Sequence, residues 1–115
     1  MTVTEIAKQF SNGSFEKVYD FLAADAVWIV VEEDTFIGKT AIIENCGQVA
    51  KYFKTVTTNF ETLHIITDGQ KVVINGTAEF LQQNKRLSFV SSCDLYEFND
   101  KNQIQKITSY CIQAK

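Results

Sequence analysis

Thr2-Val-Thr-Glu5 has the spacing of a capping box, and Ile6, Ala7 and Phe10 follow it as one apolar stripe. This pattern predicts a short amphipathic helix at the N-terminus. Asn12-Gly13 ends that helix, because glycine accepts the left-handed backbone that closes one, and Ser14 can cap the next. Phe15, Val18, Tyr19 and Leu22 then recur at i, i+3, i+4 and i+7, the spacing of a second helix with one buried face. Helices this short form because they pack, not on their own propensity.

The period changes at Ala26. AVWIVVE is β-branched and aromatic and apolar on both parities, which predicts a strand covered on both sides. Glu32, Glu33 and Asp34 make a turn into a short strand, TFI, which Gly38 breaks. Thr40 can cap a third helix, with Ile42, Cys46, Val49, Ala50 and Phe53 on its inner stripe. Gly47 inside this helix costs about 1 kcal/mol against alanine.

After Phe53 the chain stays extended. VTTNFETLHIIT runs to an Asp68-Gly69 hairpin turn, and KVVINGTAEFL runs back. A polar loop around QQNKR leads to LSFVSSCDLYEF, the break NDKNQ and a last strand, IQKITSYCI. Helices first and an antiparallel meander afterwards predict an α+β fold, with residues 1–115 as one domain. In the last strands Phe89, Cys93 and Leu95 share one face while Val90, Tyr96 and Phe98 share the other, and Ile107 and Cys111 oppose Tyr110 and Ile112. Helices cover only one face of a sheet, so the second apolar face predicts a homodimer packed sheet to sheet.

Composition narrows the partners. Hydrophobic residues make up 45% of the chain and charged residues 22%, as in an ordinary globular domain. A net charge of −3 with a single arginine argues against a nucleic-acid surface. No apolar run is long enough to span a bilayer and no basic-then-apolar leader opens the chain, so a cytoplasmic protein without a membrane partner is expected. Cys46, Cys93, Cys111 and the single histidine, His64, show no C-x-x-C or paired-His spacing. No metal or other cofactor is expected on that inventory, and the thiols read as small buried hydrophobes in a reducing compartment.

Three phrases, FLAADAVWIV (21–30), FIGKTAI (36–42) and CDLYEFNDKNQIQKI (93–107), stand in this order at family-like separations. With them the chain resembles the nuclear-transport-factor-2-like superfamily, and within it the SnoaL-like group, relatives of polyketide cyclases and ketosteroid isomerase. The resemblance implies a cystatin-like α+β cone. In it, three N-terminal helices pack on a strongly curved, mostly antiparallel sheet that encloses an apolar pocket. It also places Asp94 on the isomerase's pocket carboxylic acid, which donates a hydrogen bond because apolar surroundings keep it protonated. Two other positions depart from that enzyme: Val30 stands where its catalytic base would be, and Ile6 near its oxyanion tyrosine. The family's epoxide hydrolases pair an arginine with an aspartate two residues on, whereas Arg86 here is followed by Ser88.

Asp94 is anomalous on its own terms, a charged residue inside a β-rich run. It shares parity with Val90, Ser92 and Tyr96 and lies across from the strand that carries Ser109. It reads either as a general acid or oxyanion donor, or as a structural carboxylate held by hydroxyls. Glu32 shares parity with Trp28 and Val30 and is either a substitute base at the cavity mouth or a solvated turn residue. His64 shares parity with Phe60 and Ile66 and is either a base or a satisfied core histidine. Trp28, Val30, Phe60, Tyr96, Ser109 and Cys111 are the expected ligand-binding wall. Two functions follow from this set. One is the binding of a small apolar carbonyl compound without the full isomerase machinery. The other is isomerase, cyclase or dehydratase chemistry with Asp94 as acid and His64 or Glu32 as base.

Overall fold

The capping box forms. The Glu5 N–H donates to the Thr2 hydroxyl at 3.1 Å, and the Thr2 N–H donates back to the Glu5 carboxylate at 3.3 Å. This opens α1 (Val3–Ser11), in a computed structural model that describes residues 1–115. Gly13, at φ +82°, turns the chain out of α1, and a Cβ there would lie 2.9 Å from the Phe53 ring. The second helix is tighter than its spacing predicts: Phe15–Phe21 is a 3-10 segment, with no side-chain cap from Ser14. Its three-residue repeat stacks the buried Phe15 and Val18 on one face. Leu22, expected on that helix, is instead the first residue of β1 (Leu22–Val30), where it pairs with Ile104.

β1 turns into β2 (Asp34–Ile37), and α2 (Lys39–Phe53) follows. The cap of α2 is Gly38 at φ +94°, not Thr40. The remaining elements are β3 (Thr57–Asp68), β4 (Lys71–Gln82), β5 (Lys85–Phe98) and β6 (Ile104–Gln113). One six-stranded sheet results, in the order β2-β1-β6-β5-β4-β3. Every neighbouring pair is antiparallel except β1 with β6. The architecture is the expected α+β cone, and no helix in it is long and apolar enough to cross a membrane.

Ile6, Ala7, Phe10, Phe15, Val18 and Ile42 from the helices meet Val72, Ile74, Tyr96, Phe98, Ile104 and Ile107 from the sheet in one buried core. Val49 and Phe53, on the same helical stripe as Ile42, are only half-buried because they face a cavity. β1 is covered on one side alone. Ala26 is buried, while Val27 and Ile29 on the opposite parity stay half-exposed on the outer face.

A β-bulge breaks the register of β3 and β4. Phe60 pairs with Ala78 and Thr62 with Gly76, but His64 pairs with Asn75. One extra residue, Leu63, flips the parity of everything after it. Beyond the bulge Ile65 and Thr67 point toward the helices, and the Thr67 hydroxyl lies 2.7 Å from that of Thr4 on α1. His64 and Ile66 go to the outer face.

Candidate functional site

The strand register sets the site. Val30, Ser109, Asp94 and Ile74 stand in one row across β1, β6, β5 and β4, all on the face turned to the helices. Asp94 is 9% exposed, the one buried ionisable carboxylate of the chain. Burial pushes its carboxyl above the ordinary carboxylate range, and the Ser109 and Ser11 hydroxyls offset part of that by stabilising the ionised form. Ser11 Oγ donates to Asp94 Oδ2 at 2.8 Å and lies 2.6 Å from the Tyr96 hydroxyl. Trp28 Nε1 donates to Ser109 Oγ at 2.9 Å.

This row forms one wall of a partly open cavity of about 270 Å³ between the sheet, α1 and α2. Six aromatic rings line it: Phe10, Phe15, Trp28, Phe53, Phe60 and Phe80. Val30, Val49, Ala78 and Val90 complete the apolar surface. Its polar groups are Ser11, Asn45, Ser92, Asp94, Ser109 and Cys111, with no lysine, arginine or histidine among them. The lining is thus largely apolar and carries a single carboxyl group, with serine hydroxyls beside it.

Of the wall expected from sequence, Trp28, Val30, Phe60, Ser109 and Cys111 line this cavity together with Asp94. Tyr96 does not line it. Tyr96 is fully buried two residue pairs further along the sheet, opposite Ile107, and reaches Asp94 through Ser11. Cys111 is exposed at the lining rather than buried in the core. Partial desolvation, with the Asp94 and Glu33 charges nearby, pushes its thiol up to about 11, so it is protonated at neutral pH.

The two candidate bases are elsewhere. His64 is exposed on the outer face, its Nδ1 2.8 Å from the Asn75 side-chain oxygen, because the Leu63 bulge reverses the parity it shares with Phe60. Glu32 is exposed in the turn after β1 at φ +67°, which ends the alternation that aligned it with Trp28 and Val30. Arg86 is likewise remote, paired with Glu79 at 2.6 Å on the β4–β5 hairpin and over the Phe89 ring. Val30 brings only a hydrocarbon to the cavity, and Ile6 is sealed in the core.

Sequence reading missed Ser11 and Asn45. Ser11 sits one turn after Ala7, so it extends the α1 stripe with a hydroxyl. Asn45 follows Ile42 by three residues and precedes Val49 by four on α2, a polar side chain on an otherwise apolar helix face. Asn45 is legible as a polar break in the α2 stripe, whereas helical spacing puts Ser11 on the α1 stripe without showing what it meets.

The fold recurs in solved structures. An NTF2-like protein of unknown function from Cytophaga hutchinsonii shares 30% identity, with 94% of each chain covered and a TM-score of 0.84. An LEH-like epoxide hydrolase from M. tuberculosis matches at 18% identity over 96% of this chain and 82% of its own, with a TM-score of 0.72. A Sinorhizobium meliloti protein proposed as a polyketide cyclase matches at 16% identity over 93% of this chain and 92% of its own, with a TM-score of 0.65. At the identities of the last two, the likeness is one of fold. No curated protein sequence matches the chain significantly. The SnoaL-like domain family matches residues 3–108. With that match across nearly its whole length, and the cone and cavity in place, the chain belongs to the SnoaL-like family of NTF2-like proteins.

Proposed function

We propose that this protein binds a small, uncharged, largely apolar molecule carrying a carbonyl or similar acceptor, with Asp94 as its polar anchor. The observation that carries this reading is that one desolvated carboxyl group stands alone in an aromatic cavity with no cation. A charged ligand would lose hydration there without gaining a counter-ion, so anions and phosphates are disfavoured. A neutral Asp94 donates to a ligand oxygen, while the ring walls bury its hydrocarbon.

Trp28 is the only tryptophan and lines the cavity, so its fluorescence reports occupancy. A compact bicyclic ketone such as 1-tetralone is expected to quench it saturably. Asp94→Asn keeps a donor of the same shape and retains binding. Asp94→Leu loses the donor and weakens binding by about 1–3 kcal/mol, the usual penalty for an unpaired buried polar group. No quenching by neutral ketones, or equal binding by both variants, overturns the reading.

A second reading, proton transfer of the isomerase or cyclase kind, draws on the Asp94 carboxyl, whose burial in the cavity wall raises its proton affinity above that of a free carboxylate. Neither His64 nor Glu32 lines the cavity, so Asp94 alone would both take and return the proton. Exchange of deuterium into the α-position of a bound ketone, lost in Asp94→Asn, distinguishes this reading from binding alone.

The proposed assembly is a homodimer. Tyr110 and Ile112 on β6 and Ile66 on β3 are 51%, 71% and 62% exposed on the outer sheet face, and Leu95 and Phe89 lie half-buried on β5 between those strands. A second copy of the same face covers this apolar strip with its like.

A further inference from the structure

Two chains of polar groups converge on Asp94, one hydrogen-bonded through Ser11 and one through Ser109, its register partner on β6. An indole N–H only donates, so Trp28 occupies an acceptor position of Ser109 Oγ. The Ser109 proton is then free for its register partner Asp94, whose ionised form that hydroxyl stabilises. On the other side the Tyr96 hydroxyl is fully buried, and Ser11 is its hydrogen-bond partner. A buried donor left without an acceptor is costly, so Tyr96 donates to Ser11. Ser11 has a single proton, and it goes to Asp94 Oδ2. The opposite polarity would strand the Tyr96 proton in the core.

The rings at the far ends are held in place. Phe10 stands edge-on to both, with centroids 5.1 Å from Trp28 and 6.1 Å from Tyr96, and Phe98 stacks on Tyr96. The titratable groups facing this network are Tyr96 on the same strand, Cys111 from β6 and Cys46 from α2, with Glu33 beyond the end of β1. Burial keeps the first three protonated: the Cys46 thiol is pushed up to about 12, that of Cys111 to about 11, and the Tyr96 hydroxyl well above its usual range. α1 contributes only Ser11, and β4 only Ile74 and its neighbours in the row. Asp94 therefore has no cation to balance it, and the two serine hydroxyls are its compensation.

We propose that Trp28 and Tyr96 are positioning residues that act on Asp94 through Ser109 and Ser11. They make both serines donors toward the carboxyl group, so that a proton on Asp94 is presented to the cavity and not to the protein. The proposal deepens the reading of Asp94 as the ligand's anchor and rests on it, but its test does not need a ligand.

The test is carboxyl titration of Asp94 by NMR in the ligand-free protein. Ser11→Ala is expected to raise the Asp94 midpoint by about one pH unit or more, the worth of a hydrogen bond to a charged acceptor. Tyr96→Phe keeps the ring and its packing and is expected to raise the midpoint by a smaller amount. In the Ser11→Ala background Tyr96→Phe is expected to add nothing, because its effect passes through the missing hydroxyl. A merely structural Tyr96 would leave the midpoint where it is, or shift it equally in both backgrounds, and either result overturns the proposal. Trp28→Phe with Ser109→Ala repeats the cycle on the other chain, and it decides the matter if Tyr96→Phe fails to fold. Failure of ketones to bind would sink the proposed function while leaving this titration cycle intact.

Discussion

His64 Nδ1 lies 2.8 Å from Asn75 Oδ1, and this pairing holds the chain's single histidine on the outside of the sheet. Two residues earlier Thr62 still pairs with Gly76 on the inner face, so the reversal takes place at Leu63 alone. What a parity count assigns to the cavity wall, the bulge gives to solvent. His64→Gln keeps a partner for Asn75 and is expected to leave ketone binding and Trp28 quenching unchanged. A loss of binding of tenfold or more, about 1.4 kcal/mol, would return His64 to the site.

The bulge needs Gly76. A Cβ at that position would stand 2.5 Å from the Glu61 carbonyl oxygen, a backbone atom that cannot step aside cheaply. Gly76→Ala is expected to destabilise the fold by about 1–3 kcal/mol, the range for overpacking a well-packed interior. Gly47 on α2 is its opposite. A Cβ there meets nothing within 4 Å, so no close packing explains this glycine. Gly47→Ala is expected to stabilise by about 0.5–1 kcal/mol, the helix-propensity difference. Urea midpoints for the two variants check both signs, and movement in the same direction would refute the account.

How far the fold is legible follows from which periods survive. The capping box, the α1 and α2 stripes, the Asp68-Gly69 turn and the β5–β6 hairpin all come from local patterns, and each appears in the structure, whereas the parallel pairing of β1 with β6 is long-range and comes from no local pattern. Asp94 is legible as an anomaly, because a charge inside a β-rich run needs a reason. Parity then brings Ser92 and Ser109 to its side. Parity fails after a residue that breaks the alternation, and Leu63 and Glu32 are two such residues. Gly76 inside an otherwise β-branched run was the available sign of the first, and the acidic turn around Glu32 of the second. Ser11 was harder to foresee. A serine in the last turn of a helix is ordinary, and only the fold shows that α1 ends against Asp94 and Tyr96.

The proposed dimer places Ile112, at 71% exposure, against an apolar partner surface. Sedimentation at tens of micromolar, the affinity range of a weak interface, is expected to report a dimer for the native chain. Ile112→Glu is expected to report a monomer of unchanged fold, since it buries an unpaired charge only in the assembly. A monomeric native chain at that concentration rules the assembly out.

Asp94 also sets a pH dependence of stability. Its carboxyl titrates above the ordinary value of 3.8 in the folded chain, because burial penalises the charged form more than the serine hydroxyls repay. The folded protein thus holds this proton over a pH window in which the unfolded chain has released it. In that window stability falls as pH rises. The contribution is fully present below the unfolded value and is gone once pH passes the folded one. Asp94→Asn removes the titration and keeps the shape. Its stability relative to the native chain is therefore expected to improve as pH rises from about 4 to the folded midpoint of Asp94 and to level off above it, whatever constant offset the amide introduces. Urea unfolding of the two proteins at a series of pH values measures that difference. A native chain that gains on the Asn variant as pH rises would mean that Asp94 titrates below its ordinary value, held by its hydroxyls as a permanent carboxylate, and would remove it as a hydrogen-bond donor to any ligand.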